Sequence, residues 1–354
     1  MRRLPQTKGE KQQMLIKTDC NAVPVFYAAD ENYLPFLGVA LTSLKAHASK
    51  ERTYHIHVLC SGKPHDNAKK IKKMETENIH VSFHDVSERI EEIINVLHCR
   101  DYYTPAIFYR LFIPDLFPQY DKAIYLDCDT VLCADIAQLY DIDIKENLIG
   151  AVADQAVADV VAFREYTKNA LGISAEKYFN SGVITLNLKK LREMNFFQAF
   201  FSVLSSYAFI VAPDQDCLNL ICKNKVHYYS KAWNAMPIGG KRIKPKLVHY
   251  NLSLKPWHYD GVLYEEYFWE YAKRTPFLET IEKKKSAFTP EMAEHDRVGG
   301  ERLIALAQAE ADSEHNYLAT VQRNGQNNKK GVGRYGFITD FSRSLGGDKA
   351  NFRI

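Results

Sequence analysis

The segment Lys122-Ala-Ile-Tyr-Leu-Asp127-Cys-Asp129 is a short apolar run that stops on two carboxylates. Its core reads as a buried strand, too short for a helix and closed by polar residues. Side chains two apart on an extended chain share a face, so Asp127 and Asp129 leave the strand aimed at one point. Open parallel sheets gather ligands at the carboxyl ends of their strands. Two carboxylates, with water and phosphate oxygens, suit Mg²⁺ or Mn²⁺. An Asp-x-Asp also arises by chance as a solvated turn, so the pair needs support from the rest of the chain.

Upstream, strands and helices alternate. Val23 to Ala28 is an apolar run that ends at the polar turn Asp30-Glu31-Asn32. Phe36, Val39, Ala40 and Leu44 follow at the spacing of one buried helical face. Tyr54 to Leu59 and Ile79 to Phe83 read as strands, with a charged helix over Ala68 to Met74 between them. This is a βαβαβ beginning, which favours a parallel sheet. A helical stretch over Ala106 to Phe112 precedes the decisive strand. Downstream, strands are expected over Ile149 to Ala153, Gly182 to Asn187 and Leu247 to Tyr250, and helices over Asp214 to Cys222 and Tyr264 to Lys273. These signals divide the chain into a polar leader (1–20), a main α/β domain (21–275) and a C-terminal appendage (276–354). The appendage holds a helix over Glu301 to Asp312, with Leu303, Ile304 and Leu306 to pack, and a polar tail containing Tyr335, Phe337 and Phe341.

The chain has 354 residues, 46 % hydrophobic and 25 % charged, which excludes collagen-like and disordered classes. Lys plus Arg number 46 against 43 Asp plus Glu, a net charge of +3. That balance does not suit a dedicated nucleic-acid binder. No apolar run reaches the length of a membrane span, and the basic N-terminus has no signal-peptide core behind it. Seven cysteines without a CxxC pair read as reduced thiols. The expected location is cytoplasmic, with a peripheral seat at the inner face of the cell membrane left open, as is a homo-oligomer.

Four further features carry chemistry. His249, in Lys246-Leu-Val-His249-Tyr250, completes a mixed nitrogen and oxygen site if it reaches the carboxylates, and is otherwise a core residue. Lys255, in Lys255-Pro-Trp257-His258, can neutralise a departing phosphate or be an ordinary surface charge. Asn180-Ser-Gly182 reads as a turn, and Asp214-Gln215-Asp216 as the acidic first turn of a helix. Asp30-Glu-Asn32-Tyr33 fits helix capping. A GxGxxG at 331–336 has neither a strand before it nor a helix after it and is discarded.

Taken in series, these features resemble glycosyltransferase family 8, retaining enzymes that use nucleotide sugars and include bacterial lipopolysaccharide galactosyl- and glucosyltransferases. The resemblance runs through Ala28-Ala-Asp30-Glu-Asn32-Tyr33, Tyr109-Arg110, Tyr125-Leu-Asp127-Cys-Asp129, Tyr178-Phe-Asn180-Ser-Gly182-Val, Asp214-Gln-Asp216 and His249-Tyr250 with Lys255-Pro-Trp-His. It implies an α/β fold of GT-A type, Rossmann-like, with a mostly parallel central sheet and a small helical appendage. It also implies Asp127, Asp129 and His249 as ligands of Mn²⁺ or Mg²⁺. Asp30, Asn32 and Tyr33 would hold uridine, and Lys255 would meet the diphosphate. Arg110, Asn180, Asp214 and Gln215 would grip the hexose, with Gln215 nearest the anomeric carbon. The donor is then a UDP-hexose, galactose or glucose, and the acceptor a glycan or a lipid- or protein-linked sugar. One departure stands out: Leu252 occupies the place of a glycine between His-Tyr and the lysine.

A divalent ion and Lys255 suit this chemistry because negative charge develops on the leaving UDP. Two other readings compete. A nucleotidyltransferase wants a basic or glycine-rich loop after the first strand, where this chain has Ala28-Ala29-Asp30-Glu31. A catalytically silent sugar-nucleotide-binding subunit has no need of a full ligand set.

Overall fold

The computed structural model describes residues 21–62, 66–91, 105–239 and 242–329. The leader over 1–20, the discarded GxGxxG and the three aromatic residues of the tail lie outside them. Nine strands are formed among the described residues: β1 (Ala22–Ala28), β2 (Thr53–Cys60), β3 (Ile79–Asp85), β4 (Ala123–Leu126), β5 (Thr130–Leu132), β6 (Ile149–Ala153), β7 (Phe179–Leu186), β8 (Val226–Tyr228) and β9 (Leu247–His249). Seven make one sheet in the order β3-β2-β1-β4-β7-β6-β8. The pairs β3–β2, β2–β1, β1–β4 and β6–β8 are parallel, while β7 runs antiparallel to both β4 and β6. The sheet is therefore mostly parallel, as the βαβαβ start requires.

Alternation along the strands divides the interior into two cores. Val23, Val25 and Tyr27 of β1 with Ile124 and Leu126 of β4 enter one core; Phe26, Ala123 and Tyr125 enter the other. Period-two geometry puts these sets on opposite faces. A sheet covered on both faces favours near-continuous apolar strands, the pattern read at 23–28 and 122–126.

The Leu34–His47 helix corrects one expectation. Its sequence suggested a single buried face, yet every residue from Leu34 to Leu44 is buried. The cause lies downstream. Phe36 stacks on Trp257 with ring centroids 3.8 Å apart, and His47 Nε2 lies 2.9 Å from the Tyr271 hydroxyl. Phe277, fully buried just before the Leu278–Ser286 helix, fills the space beside Gly38, where a Cβ would stand 2.4 Å from its ring. The Pro290–Asp312 helix buries Ala307 and Ala311 in the second core, with Leu303 partly buried and Ile304 exposed.

Asn180-Ser-Gly182 is a second correction. These residues lie inside β7, which is buried from end to end, rather than in a turn. The strand is flanked by β4 and β6, and its register with β6 shifts between Ala151 and Ala153. Polar residues are tolerated there because they line a cavity. Among the described residues no helix is long and apolar enough to cross a membrane. Cys60, Cys128, Cys133, Cys217 and Cys222 are free thiols.

His57, on β2, shows how the core sets a limit on pH. Burial, with His84 and His55 beside it, lowers its pKa to about 3. Its neutral ring packs against Phe26 at 4.6 Å.

Replacing Phe277 with Ala empties the space under Gly38 and is expected to lower unfolding stability by about 3–5 kcal/mol. Urea denaturation measures it. A loss below about 1 kcal/mol would mean that the helices after residue 276 contribute nothing to the first core.

Candidate active site

β4 ends at Leu126, and the Asp127 N–H donates to the Gly182 carbonyl at 2.8 Å, tying the acidic turn to β7. β5 then pairs antiparallel with β9, with Thr130 opposite His249. That register delivers the imidazole to the carboxylates. His249 Nε2 is 3.3 Å from Asp129 Oδ1 and 3.7 Å from Asp127 Oδ2. One ligand atom from each of the three residues lies within 4.8 Å of the other two.

The tautomer of His249 follows from its partners. Asn234 donates its amide to Asn180 Oδ1 at 3.0 Å, so its own Oδ1 remains an acceptor, 3.1 Å from His249 Nδ1. Nδ1 therefore carries the proton, and the Nε2 lone pair faces the acids. Asp129 Oδ1 is buried and accepts no hydrogen bond. An orphaned carboxylate oxygen opposite a free imidazole lone pair is a donor set that a divalent cation would satisfy. Gly182 leaves the room: a Cβ there would stand 2.4 Å from both Asp127 Oδ2 and His249 Cε1.

Cations hold the acidic group together. Lys255, 7 % exposed, donates to Asp129 Oδ2 and to the Tyr250 carbonyl. Burial opposes the charge on Asp129, but the Lys255 ammonium outweighs it and holds the carboxyl below the usual range. Arg110, also buried, stacks over Tyr125 at 4.2 Å, donates to Asp127 Oδ1 at 3.2 Å and lies 3.7 Å from Asp214. Burial raises the pKa of Asp214 despite that guanidinium.

A second network fixes Gln215. Its Oε1 accepts from the Ser181 N–H at 2.9 Å and from Asn180 Nδ2 at 3.2 Å; its Nε2 donates to Asp154 Oδ2 at 3.1 Å. Asp154 uses its other oxygen to cap the Gln155–Asp159 helix through the N–H groups of Ala156 and Val157. Asp216 is fully buried and accepts hydrogen bonds from the Tyr166 and Tyr178 hydroxyls at 2.7 and 2.6 Å.

Asp30, Tyr33, Arg110, Asp127, Asp129, Asn180, Asp214, Gln215, His249 and Lys255 all line one cavity of about 580 Å³. Asp30 also caps, accepting the Tyr33 N–H at 3.0 Å. Asn32 is exposed and not part of this lining; its carbonyl accepts from Lys284. Sequence reading did not place Asn234 or Ser181 in the site; both belong to the polar scaffold together with Asp154, and Asn234 and Asp154 stand in stretches that carry no local signal.

Comparison with known proteins settles the family. The profile of glycosyl transferase family 8 matches residues 24–261. The chain belongs to that family. Among curated relatives, general stress protein A of Bacillus subtilis is 28 % identical over 254 residues, 65 % of this chain and 85 % of that protein. A lipopolysaccharide 1,2-glucosyltransferase of Escherichia coli K12 is 27 % identical over 253 residues, 66 % of this chain and 72 % of its own. The galactosyltransferase LgtC, solved with donor and acceptor sugar analogs, superposes with a TM-score of 0.61 at 25 % identity, covering 72 % of this chain and 96 % of LgtC. The bifunctional glycosyltransferase WbbM gives 0.66 at 28 % identity over 76 % of this chain and about half (53 %) of its own. The family 8 fold is the GT-A arrangement, and the chain is a glycosyltransferase.

Asp216 gives a pH test. Burial pushes its pKa up from 3.8 to about 7. A raised carboxyl pKa favours the folded state at low pH, and that stability is lost as pH rises toward the folded value. D216N removes the titration while keeping the shape. Its urea midpoint, relative to the parent, is expected to climb between about pH 4 and 7 and stay flat above that window. A constant offset across the whole range would refute the assignment.

Proposed function

We propose that the protein is a metal-dependent, retaining hexosyltransferase that moves glucose or galactose from a UDP-sugar to a sugar acceptor. The observation that carries this reading is the convergence of Asp127, Asp129 and His249 in one cavity with Lys255 and Gln215. Family membership supplies sugar transfer; the UDP donor and retained stereochemistry are what the family resemblance implies, and the ion is inferred from the site.

Asp127, Asp129 and His249 would hold Mn²⁺ or Mg²⁺. Such an ion offsets the negative charge that develops on a departing diphosphate. Lys255 is the mobile partner in this scheme. Its ammonium now sits on Asp129 Oδ2 and the Tyr250 carbonyl, one side chain's reach from any diphosphate bound at the acidic pair. Tyr33, 39 % exposed on the cavity, offers a ring face to uracil, with Asp30 in the same lining. Arg110 and Asn180 hold the hexose side of the cleft.

Gln215 presents a fixed amide oxygen rather than a charged nucleophile. Asp214 is buried, hydrogen-bonded by Ser181 at 3.3 Å and faced by Arg110, an arrangement that suits positioning better than covalent attack. The reading is therefore same-face substitution. The acceptor hydroxyl oxygen bonds to the anomeric carbon as the bond to UDP breaks, and a phosphate oxygen takes the proton. Residues 21–275 carry all of these groups, and the helices from 276 onward brace them.

With UDP-glucose or UDP-galactose and Mn²⁺, the purified protein is expected to release UDP. EDTA should abolish the release, and D129N should slow it by about 100-fold or more. Absence of UDP release from every UDP-hexose tested would end the proposal; a glycosyl adduct trapped on Asp214 and seen by mass spectrometry would replace the single-step mechanism.

G182A tests the ion site without turnover. Its Cβ is expected to abolish the Mn²⁺-dependent gain in UDP affinity measured by calorimetry. Retention of the full gain would mean that the ion sits elsewhere.

A further inference from the structure

The cavity extends beyond the acidic pair and its imidazole. Val157, Val160 and Phe163, which follow β6, and Leu303 and Ile304, on the Pro290–Asp312 helix, line it as an aliphatic and aromatic wall. Ile304 is 42 % exposed, a large apolar side chain turned to open space. One turn earlier the same helix places Gly299 and Gly300 on the cavity. Glycine disfavours a helix interior. At Gly300 no neighbour demands it, because a Cβ built there meets nothing within 4 Å. What the missing side chain preserves is room in the cavity.

A sugar nucleotide has no use for such a wall. Its hexose, ribose and diphosphate are polar, and its one flat apolar face falls to Tyr33, close to Lys255 and Asp129. The wall therefore serves the other substrate. Its helix lies beyond residues 24–261, the span that the family profile matches, while Val157, Val160 and Phe163 lie within it.

We propose that Val157, Val160, Phe163, Gly300, Leu303 and Ile304 form the acceptor subsite, and that the acceptor is an amphiphilic glycoside, a sugar carried on an aliphatic aglycone. The proposal rests on the transferase reading above and names the class of its second substrate. The wall lines the same cavity as the acidic pair and Gln215, so the aliphatic chain of an acceptor can rest on it while the attached sugar reaches the donor. Burying several methylenes against it adds affinity in proportion to the apolar area removed from water.

The test uses octyl and methyl β-D-glucoside and the corresponding galactosides, titrated calorimetrically into the full chain below the micellar concentration, with and without UDP and Mn²⁺. For either sugar the octyl form is expected to bind at least about tenfold more tightly than the methyl form. Gly300→Trp and Ile304→Asp, each on an exposed position, are both expected to bring that ratio within about twofold, with melting temperatures within about 2 °C of the parent. Equal binding of octyl and methyl glycosides, as a protein-linked acceptor would give, overturns the proposal. So does an octyl preference that survives both substitutions. If the parent shows the octyl preference but no Mn²⁺-dependent UDP binding, the donor reading fails and the amphiphile site stands.

Discussion

The antiparallel pairing of β5 with β9 is the constraint on which the site depends. Only three residue pairs are involved, yet they set Thr130 opposite His249, more than a hundred residues apart in the chain. The pairing is locked from several sides: the Tyr250 N–H donates to the Asp129 carbonyl and the His249 N–H to the Ala235 carbonyl, both at 2.9 Å. A slip of one residue would turn the imidazole to the opposite face, because side chains alternate with period two. The acidic turn is equally fixed, since the Thr130 hydroxyl donates to the Asp127 carbonyl at 2.8 Å.

Bringing two carboxylates together has an electrostatic cost. Two like unit charges 4 Å apart at an effective dielectric of 20 repel by about 4 kcal/mol. The fold meets this with two buried cations from different directions: Arg110 on Asp127 and Lys255 on Asp129. Only Lys255 shares its acid with an unpartnered oxygen, Asp129 Oδ1. Each cation is also held by main-chain carbonyls: Arg110 by those of Ser181 and Ile107, Lys255 by that of Tyr250.

The rest of the polar interior is built to stay still. Asn234, Asn180, Asp154 and Gln215 form a chain of hydrogen bonds in which each amide orientation fixes the next, ending at the ring of His249. A buried network that is fully satisfied favours one arrangement over its alternatives. The same network therefore sets the histidine tautomer at one end and the Gln215 oxygen at the other. Leu252, at φ +55° and 48 % exposed, is the contrasting element: a branched side chain held in left-handed backbone between His249 and Lys255, where a glycine would carry no strain.

Periodicity and punctuation made much of the fold legible. Continuous apolar runs at 23–28 and 122–126 announced buried parallel strands, and the order of short motifs announced the family, because both are local properties of the chain. What stayed hidden was non-local. β5 and β8 are three residues long, too short for any periodic signal, and the burial of the Leu34–His47 helix on all sides is caused by Trp257 and Phe277 far downstream. Asn180 read as a turn because its neighbours Ser181 and Gly182 have turn chemistry; its burial between β4 and β6 overrode that preference. The sequence alone determined which side chains have the chemistry to bind a cation and a phosphate. Only the tertiary structure decided that they meet, since a strand register and a glycine without a Cβ, not any spacing along the chain, close the distance between them.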